Sequence, residues 1–303
     1  MTTLAALWIY QAERFALARV VPLLAVFSAA SVTVSAVLAG RSPPGAGAYA
    51  AAFGLVLIVF FQMRVCDEIK DAGDDRRFRP ERPIPRGLVS LRLIVGLGLA
   101  GVPAAALIAL AFGHGLIWLL LLVWAWLAAM TAEFGAPRWL KARPILYLLS
   151  HMAIMPLIDL MLTGAEWLPA GGAAPGLWAF LALSFSNGCV LELGRKIWAP
   201  EDERPGVETY SGLWGPRRAV WAWLGFTALS FVLLAAVGAL TGAAAALLAA
   251  GAIGLAGCAW AARGYLRAPS GQAAARVDAA AGLWVFASYA AAGFGPLLLG
   301  AGA

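Results

Sequence analysis

Long uninterrupted apolar runs alternate with short polar connections along this chain, and nine of the runs are long enough to cross a bilayer as helices. They fall near 17–39, 47–66, 90–112, 115–133, 144–163, 175–195, 217–239, 243–262 and 281–300. A hydrocarbon core of about 30 Å takes about 20 apolar helical residues, because in lipid every backbone polar group must find its partner within the spanning element. The pattern therefore predicts an all-α polytopic membrane protein with nine transmembrane helices, residues 1–303 forming a single integral membrane domain. Ahead of the first span, Trp8, Ile9 and Phe15 oppose Gln11, Glu13 and Arg14, the pattern of a short amphipathic helix lying on the membrane surface. No cleavable signal peptide is expected.

Composition agrees: 62% of residues are hydrophobic and 13% are charged, which leaves no soluble domain between the spans. Charge adds orientation. Of 22 lysines and arginines, only Arg41 falls in the loops after spans 1, 3, 5 and 7. Basic residues stay on the cytoplasmic side of a membrane protein, so the N-terminus and the loops after spans 2, 4, 6 and 8 are expected there, in the cell inner membrane. The net charge of +6 then describes a cationic inner face suited to lipid headgroups and to a diphosphate. Nucleic acid is excluded as a partner, since nothing in the chain forms a soluble groove or a reading motif and the charge already has a membrane explanation.

Two of these loops carry more than topology requires. After span 2, Asp67, Asp71 and Asp75 recur every four residues, which places them near one face of a continuing helix, and Arg82-Pro-Ile-Pro-Arg86-Gly87 follows. Clustered acids ask for cations, and hard oxygen donors with incomplete protein coordination suit Mg²⁺, which fills its remaining positions with water and phosphate. The neighbouring arginines suit the phosphate. After span 6, residues 192–211 form the second polar island, with Glu192, Arg195, Lys196, Glu201, Asp202, Glu203, Arg204, Gly206 and Thr209. Charge runs are usually solvated loops, but regular acid spacing exceeds that role. Elsewhere the bland readings prevail. Cys66, Cys189 and Cys258 show no metal or redox spacing and read as packing residues. Gly251, Gly254 and Gly257 allow close helix approach. Glu133, His151 and Asn187 read as polar contacts between helices, and Asp159 as a group reaching the outer interface.

The stretch around residues 64–90 resembles the first motif of the UbiA-type intramembrane prenyltransferase superfamily: an Asn/Asp-x-x-x-Asp-x-x-x-Asp triplet, an arginine-rich interval and Arg-Pro-x-Pro-x-Gly. Asp67, Asp71 and Asp75 with Arg82, Pro83, Pro85 and Gly87 match it closely. The resemblance implies a UbiA-type helical bundle that ionises a prenyl diphosphate with Mg²⁺ and passes the prenyl group to an aromatic or other lipophilic acceptor, whose identity the sequence does not reveal. It implies Asp67, Asp71 and Asp75 as metal ligands, joined at the second motif by Glu192 and Asp202. Lys70, Arg82, Arg195 and Lys196 become the diphosphate contacts, with Arg195 and Lys196 counted among the catalytic groups. The second motif departs from the family pattern. Asp202 before Gly206 and Thr209 fits, but Trp198 and Gly194 stand where further acids are expected, and Arg195 and Lys196 bring positive charge instead. Asp67-Glu68-x-x-Asp71 also resembles the acidic pentad of ionisation-initiated terpene synthases, so acceptor-free terpene cyclisation stands as the alternative. A transporter or lipid-binding protein is the reading from another class; intramembrane charge allows it, but no matched pair of broken helices supports it. The 13 tryptophans include candidates for shielding a carbocation, though interfacial anchoring explains any one of them as well.

Overall fold

The computed structural model describes residues 2–300, and every element among them is helical. In chain order they are α1 (Thr3–Arg14), α2 (Leu17–Leu38), α3 (Ala46–Lys70), α4 (Ala72–Phe78), α5 (Leu91–Phe112), α6 (Leu116–Thr131), α7 (Pro137–Lys141), α8 (Pro144–Met152), α9 (Ile154–Trp167), α10 (Leu177–Arg195), α11 (Tyr210–Trp214), α12 (Pro216–Leu240), α13 (Ala244–Arg267) and α14 (Gly271–Leu298). Taking α8 and α9 as one span, eight helical segments among the described residues are long and apolar enough to cross a membrane. The ninth, α6, has 16 residues, about 24 Å at 1.5 Å per residue, and ends in a 3₁₀ turn (Glu133–Gly135).

The helices close into a ring. Neighbours pack in the order α2, α3, α5, α6, α9, α10, α12, α13 and α14, and α14 returns to α2. Close crossings depend on small residues: a Cβ on Gly293 of α14 would stand 2.5 Å from the Cα of Ala30 on α2, so only glycine permits that approach. Of the three small positions on α13, Gly251 lies against Phe231 and Gly254 against Trp284, whereas Gly257 faces open space. The three cysteines are free, two of them buried.

Three expectations change. Span 5 is broken at Ala153, between α8 and α9. Pro156 lies in the first turn of α9, where it cannot donate to the Met152 carbonyl and its ring crowds that oxygen, so a continuous helix is interrupted one turn earlier. The last span begins at Gly271, ten residues before the apolar run, because Ser270 caps it and its first turns bury Ala273, Ala274 and Val277 against the second polar loop. Asp159 does not reach an interface. It is fully buried, and the hydroxyls of Ser31 and Tyr289 donate to its two oxygens. At the end of the bundle away from the polar loops, Arg41 is clamped by Glu166 (2.7 and 3.0 Å), which neutralises the one basic residue of that side. At the other end α1 lies beside α3, with Leu4 and Trp8 exposed and Arg14 donating to the buried Glu68 at 2.7 Å.

Candidate functional site

The first motif straddles a joint rather than one helix. α3 stops at Lys70 and α4 starts at Ala72, yet the Asp71 N–H donates to the Asp67 carbonyl (2.9 Å) and the Asp75 N–H to the Asp71 carbonyl (2.7 Å). The four-residue ladder therefore runs through the joint and keeps the three carboxylates in helical register. Their surroundings differ. Asp67 is half exposed and paired with Arg64 three residues earlier. Asp75 is buried between Arg79 (3.1 Å) and Arg82, whose Nη1 reaches both carboxylate oxygens (2.8 and 2.7 Å). Asp71 is partly buried with no ion-pair partner among the described residues; burial, followed by the negative charges of Asp67 and Asp75, pushes its carboxyl above the ordinary value. The motif is therefore short of positive charge at Asp71, whereas Arg64 pairs with Asp67 and Arg82 is committed to holding Asp75.

Lys70 turns inward. Its ammonium contacts the Tyr147 hydroxyl (3.0 Å), His151 Nε2 (3.3 Å) and Glu133 Oε1 (2.9 Å), three acceptors for three N–H groups. Tyr147 and His151 stack at 3.9 Å one turn apart on α8, just before the break that Pro156 imposes. Glu133 sits in the 3₁₀ turn after α6 with φ +49°, and Phe134 follows with φ +51°. Two consecutive non-glycine residues in the left-handed region cost roughly 1–2 kcal/mol each, and such strain persists where surrounding structure over-determines it, often at functional sites.

The second motif meets the first. Glu192, buried near the end of α10, accepts from Arg195 Nε at 2.6 Å and pairs with Lys196 Nζ at 3.0 Å. Arg195 is close enough to Asp67 for their charges to interact, and Tyr147 lies within similar reach of Glu192 and Asp71. Above them the two loops interlock. Gly206 has φ +75°, and a Cβ there would stand 2.2 Å from the Phe78 ring of α4, while Arg204 reaches Glu81 at 3.4 Å. Thr209 caps α11, and both Thr209 and Ser211 donate to Glu203 at 2.7 Å, which braces the loop.

Of the residues expected at the site, Asp67, Asp71, Lys70, Glu192, Arg195 and Lys196 gather in one region. Asp75 and Arg82 form its buried support. Asp202 sits in a 3₁₀ turn (Pro200–Asp202) against Gly271 at the start of α14, and it shares a cavity of about 300 Å³ with Arg195, Trp198, Arg204 and Asp278 but with none of the aspartates of the first motif. Among the described residues no three His, Cys, Asp or Glu side chains converge as a metal cage, so Glu192 and Asp202 do not complete one with the aspartates of the first motif. Two carboxylates at Asp67 and Asp71, with water and phosphate oxygens completing the shell, remain a fitting donor set for Mg²⁺. Sequence reasoning read Glu133 and His151 as helix contacts and passed over Tyr147. The available signal was an acid at the polar end of span 4 and a histidine inside span 5, both inside otherwise apolar surroundings.

The fold is thus a ring of membrane helices with two interlocked charged loops over one end. The chain matches the UbiA prenyltransferase family over residues 28–288 and belongs to that family. It is similar in fold to the apo structure of a UbiA homolog from Aeropyrum pernix K1, with a TM-score of 0.67 and 19% identity over 87% of this chain and 96% of that one. It is also similar to a digeranylgeranylglyceryl phosphate synthase, with a TM-score of 0.61 and 14% identity over 94% of this chain and 99% of that one. No protein of curated function matches it.

Proposed function

We propose that this protein is a Mg²⁺-dependent prenyltransferase that ionises a prenyl diphosphate at the cytoplasmic face of the cell inner membrane and passes the prenyl group to a lipophilic acceptor. The observation that carries the reading is the meeting of the two loops: Arg195, paired with Glu192 beside Lys196, lies within electrostatic reach of Asp67, the first carboxylate of the other motif. Mg²⁺ held by Asp67 and Asp71 would supply Lewis-acid neutralisation of the leaving diphosphate. Arg195 offers a planar fork and Lys196 a compact charge to the same oxygens, and both are pre-set by their bonds to Glu192. Arg82 acts one layer behind, fixing Asp75 and hence the direction of α4. The apolar tail enters between helices, where water is excluded and the allylic cation survives long enough to be captured. A fold relative that makes a digeranylgeranylglyceryl phosphate is in keeping with an isoprenoid donor.

The test is incubation of purified protein in lipid nanodiscs with Mg²⁺ and geranyl, farnesyl or geranylgeranyl diphosphate, with and without aromatic and lipid acceptors. Pyrophosphate and extractable products are followed by mass spectrometry. Transfer predicts turnover that needs an acceptor and is lost in Asp71→Asn. A cyclic product without acceptor would replace transfer by cyclisation at the same site, and failure to cleave any of the donors would overturn the reading.

A further inference from the structure

We propose that Glu133 is the proton acceptor of the reaction, taking the proton released when the allylic cation is captured. The inference rests on the proposed function. When the bond between the allylic carbon and the diphosphate oxygen breaks, its electron pair leaves with diphosphate. A new bond then forms from a lone pair or a π bond of the capturing group, which afterwards sheds a proton: from O–H if a hydroxyl attacks, from C–H if a carbon does. In a cavity closed to water that proton needs a base.

The candidates among the described residues separate by what already occupies them. Asp75 is held by two arginines, and Glu192 by Arg195 and Lys196. Both oxygens of Asp159 receive hydroxyl protons deep in the bundle. His151 Nδ1 lies 2.9 Å from the Tyr147 carbonyl, which makes it the N–H tautomer at that atom, and Nε2 then faces the Lys70 ammonium at 3.3 Å. Glu133 differs. Its Oε1 receives Lys70 (2.9 Å) and Tyr147 (3.2 Å), but its Oε2 is buried with no hydrogen-bond partner, and His151 Nε2 at 3.9 Å is too far to serve. An anionic oxygen buried without a donor is costly, and it is held there by a backbone in the left-handed region at both Glu133 and Phe134. Lys70 and Tyr147 connect it to the two motifs, since Lys70 adjoins Asp71 in the chain and Tyr147 lies within electrostatic reach of Asp71 and Glu192. Lys70 Nζ and the Tyr147 hydroxyl on Oε1 fix the carboxylate's orientation and leave Oε2 for the incoming proton.

The experiment uses the full chain in nanodiscs with Mg²⁺, the donor that wild type consumes, and the acceptor, if one is needed, that supports turnover. The donor carries ¹⁸O at the bridging position. Scrambling of that label into non-bridging positions of recovered donor reports ionisation and return, separately from product. Glu133→Gln is expected to lower product formation roughly 10²-fold or more, the usual scale of a positioned base, while scrambling relative to product rises by a similar factor. Glu133→Asp, which keeps the charge facing Lys70 but withdraws the oxygen, is expected to move in the same direction and serves if the glutamine variant does not fold. With hydroxyl acceptors the lost product is an ether; with carbon capture it is an alkylated ring or an olefin, so the product identifies the proton's source. Unchanged product formation, or scrambling and product falling together, would overturn the role and leave Glu133 as a structural partner of Lys70. A wild-type protein that neither scrambles nor consumes any donor would instead remove the proposed function on which the role depends.

Discussion

Gly206→Ala tests whether the two loops must interlock. The residue has φ +75°, and its added Cβ would lie 2.2 Å from the Phe78 ring, far inside van der Waals contact. The left-handed backbone costs an alanine about 1–2 kcal/mol, and displacing a packed ring costs typically 1–3 kcal/mol. Together these disfavour the closed arrangement by about 2–5 kcal/mol, and with 1.4 kcal/mol per factor of ten the smaller figure already means a roughly 30-fold shift. Neither residue belongs to the buried clusters that hold the bundle together, so thermal unfolding is expected to stay near wild type. Spin labels at the exposed Arg76 and Glu208, one on each loop, should report a longer and broader distance distribution, and kcat/KM for the diphosphate donor should fall at least about 30-fold in step with it. Adding Phe78→Ala removes the steric share but not the backbone share, so the double variant should recover part of the loss. Label distances and turnover within about twofold of wild type in Gly206→Ala, or no relief from Phe78→Ala, would refute the interlock.

Four further outcomes follow from the same geometry. Glu192→Gln releases Arg195 and Lys196, so KM for the donor should rise while the Mg²⁺ concentration giving half-maximal rate stays constant; a shift in the Mg²⁺ dependence alone would make Glu192 a metal ligand instead. Asp71 and Asp75 should separate by stability: Asp75→Asn strands two arginines and is expected to destabilise by about 3 kcal/mol in a denaturation series, whereas Asp71→Asn abolishes turnover without lowering Tm. Because the Asp71 carboxyl is raised in the folded state, its charge opposes folding at neutral pH and that penalty fades as pH falls through the raised value; Mg²⁺ should relieve it in wild type and not in Asp71→Asn. Finally, Arg204→Cys and Arg41→Cys in sealed inside-out vesicles should differ in labelling by an impermeant maleimide, the first reacting and the second not; the reverse pattern would invert the orientation inferred from the arginines.

Much of this was legible because its causes are local. Apolar run length reports a helix directly, since lipid offers the backbone no other partner, and the Asp67, Asp71 and Asp75 spacing reports a helical register that survives even the joint at Asp71. Where hydropathy and helix part company, the reading slipped. The first turns of α14 are polar on one side and so fell outside the apolar window, while Pro156 broke a span that is apolar enough on average to read as one helix. Gly206 was read only as part of the second motif; its φ explains half of its necessity, and the other half is a phenylalanine 128 residues earlier in the chain.

The sequence by itself determined the class of protein, the polar face of the bundle and the identities of the charged groups gathered there, because composition, arginine bias and motif spacing are properties of short stretches. Which charge meets which was decided only by tertiary structure. Asp75 became the support of two arginines and Glu192 the holder of Arg195 and Lys196. Lys70 was drawn to Glu133, and Asp159 was sealed among hydroxyls. Charge in a low-dielectric interior must be neutralised by whatever side chain the packing of distant helices brings within a few ångströms, and no local pattern encodes that pairing.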